Sequence, residues 1–80
     1  MTDHALTPAL EDYLETIFRL AADTGYARVR DIAAARRVKP GSVSPAMKRL
    51  DELGLVAYER REAVRLTETG AAAARKVYSR

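Results

Sequence analysis

The 80-residue chain has no cysteine, no tryptophan, one phenylalanine and one histidine. Without cysteine it has no disulfide staple and no thiolate metal site, as suits a reducing compartment. No apolar run approaches the ~20 residues that cross a bilayer. Residues 1–7 lack the basic start and apolar stretch of a secretory leader. These absences predict a cytoplasmic chain with no membrane partner. Catalytic signals are missing too: no nucleophile with a base beside it, no glycine-rich phosphate loop and no His/Cys cluster. No enzyme is expected. His4, the only histidine, stands in the terminal segment and is read as inert. The length suits one domain spanning residues 1–80, with a simple core of a few apolar stripes.

Charge is present but unevenly placed. The formal net charge is +3. Residues 1–27 hold one base, Arg19, against five acids (Asp3, Glu11, Asp12, Glu15 and Asp23), a net of −4. Residues 28–80 hold thirteen bases against six acids, a net of +7. Such asymmetry points to a polyanionic partner for the later part, although a solvated basic surface would look the same.

Periodicity places the elements. Thr7-Pro8 supplies an N-cap and a first helical position. Leu10, Tyr13, Leu14, Ile17, Phe18 and Ala21 follow at amphipathic-helix spacing, and Gly25 supplies the stop. Residues 26–29 are short enough to pair as an extended stub. A second helix is predicted over 30–37, with Ile32, Ala33 and Ala35 apolar. After the turn at residues 38–41, a third helix runs to Leu53 with the stripe Val43, Ala46, Met47, Leu50 and Leu53. Its start is open. From Pro40, the helix contains Pro45, which removes a hydrogen bond and should bend it. From Ser44, Pro45 is the first helical residue and costs nothing. Residues 56–60 and 63–66 alternate as two strands joined at Arg61-Glu62. Thr67 caps a last helix whose face is Ala71, Ala74, Val77 and Tyr78, with Gly70 weakening its first turn.

Helix, tight turn, helix and hairpin is the order of a winged helix-turn-helix, mainly α with a small β-hairpin. In that arrangement the second helix of the motif enters the DNA major groove and the first braces it. With Val43, Met47 and Leu50 inward, Ser42, Ser44, Pro45, Lys48 and Arg49 face outward or flank that face. Serine hydroxyls bond base edges or phosphates, a proline ring presses on a thymine methyl, and the two cations reach phosphate or guanine. Arg28 and Lys39 flank the motif as phosphate clamps. Arg60 and Arg61 at the hairpin tip suit phosphate or minor-groove contact, with Arg65 a weaker candidate. Double-stranded DNA is the partner this pattern implies.

Several strings carry a family resemblance: Glu11-Asp12-Tyr13-Leu14-Glu15-Thr16-Ile17, Arg28-Val29-Arg30-Asp31-Ile32-Ala33, Ser42-Val43-Ser44, Lys48-Arg49-Leu50, Gly54-Leu55-Val56 and Leu66-Thr67-Glu68-Thr69-Gly70. From about Thr7 to Arg80, without a gap, the chain resembles the diphtheria toxin repressor family of metal-dependent transcriptional repressors. The resemblance implies an iron(II)- or manganese-responsive repressor that binds DNA as a homodimer. Asp12 stands where manganese-type members place an aspartate, and Glu15 matches the carboxylate one turn later. Carboxylates at i and i+3 share a helix face, and hard oxygen donors suit manganese. Acids in a first helical turn are equally stabilised by the helix dipole without any metal. The family's other ligands and its dimerisation domain would fall beyond Arg80. The chain is therefore expected to be the DNA-binding part alone and to hold no metal tightly. Arg36 stands where leucine is usual, so its stem must snorkel or the second helix must shift. Ala63 stands where the wing often has glycine.

Two other readings share the fold, because a fold does not fix a function. One is a winged-helix protein-interaction module, which would expose an apolar patch on the third helix. The other is a metal-independent regulator.

Overall fold

Thr7 and Pro8 open the first helix as their chemistry dictates. The computed structural model describes residues 6–58 and 63–78. In α1 (Pro8–Leu20), Thr7 is extended and its Oγ1 accepts a hydrogen bond from the Leu10 N–H at 3.2 Å, while Pro8 spends its missing N–H where no helical bond is due. Leu10, Leu14 and Ile17 are buried on one face, and Tyr13 and Phe18 pack at its margin. Thr16 is buried on the same face, its hydroxyl donating to the Asp12 carbonyl at 2.9 Å. Gly25 ends the segment at φ 88°.

The stub becomes β1 (Ala27–Arg28), which leads directly into α2 (Val29–Arg36). This helix starts one residue earlier than its sequence predicts, so its buried set is Val29, Ile32 and Ala33. Ala35, expected on that face, is exposed. Arg37, expected as the last helical residue, is left-handed instead, at φ 61°. Its N–H donates to the Ala34 carbonyl and the Val38 N–H to the Ala33 carbonyl, at 3.2 and 3.0 Å. The pair closes the helix end as a glycine normally does.

Helix α3 (Pro40–Glu52) takes the earlier of the two possible starts. Pro40 holds the first turn and Pro45 lies inside the helix, so the Gly41 carbonyl loses its usual donor. Val43, Met47 and Leu50 are completely buried. Gly54, at φ 77°, closes this end by the same scheme: its N–H reaches the Asp51 carbonyl and the Leu55 N–H the Leu50 carbonyl, both at 2.9 Å.

The hairpin is β2 (Val56–Tyr58) and β3 (Ala63–Leu66). Val56 pairs with Leu66, Ala57 with Arg65 and Tyr58 with Val64. On its other side β3 pairs with β1, Ala27 opposite Val64 and Arg28 opposite Ala63. The antiparallel sheet thus has the order β1-β3-β2. The connection at Arg61-Glu62 lies outside the described residues.

Thr67 joins the sheet to α4 (Glu68–Tyr78) and ties three pieces of chain together. Its Oγ1 accepts from the Gly70 N–H at 2.9 Å and donates to the Gly54 carbonyl at 2.7 Å, while its N–H reaches the Leu55 carbonyl at 3.1 Å. Gly70 is buried against Leu55, and a Cβ there would overlap the Leu55 carbonyl oxygen. The glycine read as a weak spot in the helix is therefore what allows α4 to seat so closely. Ala74 is buried, with Ala71 and Val77 half-buried. The side chain of Tyr78, expected on that face, lies outside the description. One core runs from α1 through α2 and α3 to the sheet and Ala74 of α4.

Candidate nucleic-acid interface

The helix-turn-helix is α2, the three residues Arg37, Val38 and Lys39, and α3. Because Val43, Met47 and Leu50 bind one side of α3 to the core, the opposite side is fixed outward by helical periodicity. Ser42, Pro45, Lys48 and Arg49 are exposed there, as are Lys39 before the helix and Gly41 within it. The side presented to solvent thus mixes hydroxyl, proline ring and cation. The exposed large hydrophobic residues among those described, Leu20 and Val38, lie outside α3.

The start of α3 suits an anion. Its N-cap is Lys39, with no side-chain cap, and its first turn has no acid. Pro40 brings no N–H and the Ser42 N–H donates to the Lys39 carbonyl at 2.9 Å, so it is the positive end of the helix dipole beside the exposed Lys39 that favours phosphate oxygens there. Further along, Arg49 Nη1 lies 3.3 Å from Glu52 Oε1, and both side chains are more than half exposed. This pair is easily exchanged for a phosphate.

Ser44 is placed differently from its neighbours. It is half-buried, and the Tyr58 hydroxyl at the end of β2 donates to its Oγ at 3.4 Å. The sequence marks Tyr58 as an alternating strand residue and gives no hint of this bond, which joins positions 14 apart.

Arg28 stands apart from the α3 surface. It lies on β1, which β3 separates from β2 in the sheet. Its guanidinium carbon is 5.6 Å from the centroid of the Tyr26 ring, a cation–π contact that holds the exposed side chain in place. Arg65 is exposed on β3. Arg60 and Arg61, assigned to the hairpin tip, lie outside the described residues, as does His4.

The carboxylates of α1 lie on a different element. Asp12 is half exposed, and its Oδ2 is 3.4 Å from Nη2 of Arg36 on α2. Arg36, an arginine in an apolar slot, thus sends its head group across to α1 and keeps about a third of its side chain exposed (36%). The contact joins residues 24 positions apart in sequence. Glu15 sits one turn after Asp12 and is half-buried. No group of three or more His, Cys, Asp or Glu side chains among the described residues could hold a metal ion. Two carboxylates, one already bonded to a guanidinium, do not by themselves fit a transition metal that favours several hard donors around it.

No helix among the described residues is long and apolar enough to cross a membrane.

Comparison with known proteins places the chain in context. The family model described as iron dependent repressor, N-terminal DNA binding domain, matches residues 5–64. The chain is similar to the HTH-type transcriptional regulators MntR of Shouchella clausii, at 47% identity over 64 residues, and of Bacillus subtilis, at 44% over 64 residues. Each alignment covers 80% of the chain and 45% of the relative, so the chain spans under half the length of these regulators. Among solved structures, the YusO protein from Bacillus subtilis superposes with a TM-score of 0.71 over 96% of the chain and 56% of that protein, at 22% identity. A MepR-like protein complexed with pseudoligands gives 0.66 over 85% and 52%, at 20% identity. These two likenesses show the winged-helix fold.

Proposed function

The chain belongs to the iron-dependent repressor family, through that family's N-terminal DNA-binding domain, and from this premise we propose that it inserts α3 into the DNA major groove as the reading head of a metal-responsive transcriptional repressor acting in the cytoplasm. The observation that carries the reading is the two-sidedness of α3. Its rear is locked by three fully buried side chains, and its front presents Ser42, Pro45, Lys48 and Arg49. A major groove admits one helix and displays a distinct donor and acceptor pattern for each base pair. Ser42, Ser44 and Pro45 face base edges, with Lys48 reaching guanine or phosphate. Lys39, the positive end of the α3 dipole and Arg49 hold phosphates. Arg28, which stacks over Tyr26, takes the flanking backbone, together with Arg60 and Arg61.

Such a head reads half a site. A second copy bound one helical turn away doubles the contact, so the longer protein is proposed to act as a homodimer. Manganese or iron(II) control belongs to that longer protein. Asp12 and Glu15 would contribute two oxygens to it, with the other donors supplied from outside the described residues. No step of the groove contact proposed for α3 passes through a metal. The front of α3 carries no large apolar side chain, which favours DNA over a protein partner.

The test is an anisotropy titration of the chain on labelled duplex over a series of salt concentrations. Binding should weaken steeply with salt, because each neutralised phosphate releases counterions. Lys48→Glu with Arg49→Glu should remove most of the affinity and lower the slope of log K against log[salt] by roughly 2. No binding of the unaltered chain at low salt, or binding indifferent to the double reversal, would refute the proposal.

A further inference from the structure

We infer that Tyr58 tunes specificity: by donating its phenolic hydrogen to Ser44, it fills one of the two Ser44 lone pairs and biases that hydroxyl to donate toward the groove, so that a base presenting an acceptor is favoured opposite Ser44. The inference rests on α3 being the reading helix and goes beyond it by assigning a hydrogen-bond polarity to one position.

The argument starts from the chemistry of the two hydroxyls. Each can donate once and accept twice. A phenol, with a pKa of about 10, is the more acidic and hence the better donor, and an aliphatic hydroxyl is the better acceptor. The Tyr58 Oη to Ser44 Oγ contact at 3.4 Å has that direction. The separation exceeds the ~2.7–2.8 Å of a tight hydroxyl pair, so its effect lies in orientation more than in stability. A serine inside a helix otherwise tends to bond the carbonyl one turn back, as Thr16 does with Asp12 in α1. Ser44 is instead engaged from another element, with one lone pair filled and its hydrogen left for an outside acceptor.

Guanine offers N7 and O6, adenine N7 and thymine O4 in the major groove, whereas cytosine offers only its N4 amino donor. A Ser44 biased to donate therefore favours a purine or thymine over cytosine, whose N4 amino group could reach only the second Ser44 lone pair. Tyr58 is also the last residue of β2, so the same bond ties the hairpin to the reading helix.

The test selects duplexes from a randomised pool with the unaltered chain, Tyr58→Phe, Ser44→Ala and the double variant, with melting temperatures measured for all four. Affinity is then compared on the selected duplex and on a scrambled one. The unaltered chain should show one position that disfavours cytosine. Tyr58→Phe and Ser44→Ala should both lose that bias and bind the selected duplex roughly three- to tenfold more weakly, the range of a single neutral hydrogen bond. Binding to the scrambled duplex should not change, and the double variant should be no worse than Ser44→Ala. Three results overturn the inference: Tyr58→Phe keeps the bias against cytosine, Tyr58→Phe weakens both duplexes equally as a packing role would, or only one of the two single variants has an effect. If the unaltered chain binds no duplex, the DNA-binding reading itself fails and this inference falls with it. Binding by the unaltered chain with no effect of either variant refutes the inference alone.

Discussion

Replacing Gly70 with alanine should destabilise this domain, against the ordinary rule for a helical glycine. In a helix interior the change stabilises by about 1 kcal/mol, because alanine loses less backbone entropy. At Gly70 the new Cβ would overlap the Leu55 carbonyl oxygen and stand 2.7 Å from its carbonyl carbon. Both are backbone atoms, which cannot rotate aside. Relief requires α4 to retreat by a distance on the order of 1 Å, against a core packed to crystal-like density. The retreat strains the Thr67 N–H to Leu55 carbonyl bond, now 3.1 Å, at about 0.5–1.5 kcal/mol. It also disturbs the packing of Leu55 and Ala74, and overpacking of this kind costs about 1–3 kcal/mol. After the propensity gain, the net loss is about 1–3 kcal/mol. A domain of this size loses about 4–8 °C in Tm per kcal/mol, so the midpoint should fall by about 5–20 °C. Gly41→Ala is the matched control, since nothing lies within 4 Å of its Cβ position in α3; it should gain about 0.5–1 kcal/mol. Thermal and urea melts followed by circular dichroism decide the matter. A Gly70→Ala variant that melts at or above the unaltered chain would refute the close approach of α4 to Leu55.

Three further changes test other joints. Arg37→Gly relieves a left-handed residue at φ 61° and should raise the urea midpoint by an amount worth about 0.5–1 kcal/mol; a fall would mean that the Arg37 side chain contributes more than its backbone costs. Thr67→Ala removes the cap of α4 and the tie to Gly54 together, so a loss of about 1–2 kcal/mol is expected in the same melts. Asp12→Asn breaks the pair with Arg36, but both side chains are well exposed, so the change should stay below about 1 kcal/mol. Adding manganese(II) at about 1 mM to this chain should shift its Tm by less than about 1 °C, because a ligand stabilises appreciably only where its free concentration exceeds Kd, and two carboxylates bind too weakly for that; a larger shift that Asp12→Asn abolishes would show that the α1 carboxylates hold metal without further donors.

The fold was legible wherever one residue type answers one local need. Thr7-Pro8 opens α1, Gly25 and Gly54 take positive φ, and the stripe Val43, Met47 and Leu50 turns inward. Legibility failed where two local signals competed. Pro45 argued for a late start to α3, yet Pro40 at the helix opening and the burial of Val43 prevail, and the chain accepts one lost hydrogen bond inside the helix. Arg37 carried no mark of a left-handed residue, because arginine is not selected for that conformation. At the other end Val29 joins the helix, and its face with Ile32 and Ala33 is the buried one, which leaves Ala35 turned to solvent.

For the site the division is different, and it is physical. Exposure follows from periodicity, so Ser42, Pro45, Lys48 and Arg49 could be placed outward from the sequence alone. Contacts between elements do not follow from periodicity. Tyr58 with Ser44 and Arg36 with Asp12 depend on how β2 settles on α3 and α2 on α1, which local spacing leaves undetermined. The one sign of the second contact was an arginine in an apolar slot, which demands either a snorkelling stem or a charged partner. The first left no sign, since tyrosine suits a strand for its ring alone. These two bonds tie α3 to the hairpin and α2 to α1, one at each side of the helix-turn-helix. The exposed residues supply contacts to DNA, and the cross-element bonds decide how rigidly they are presented to it.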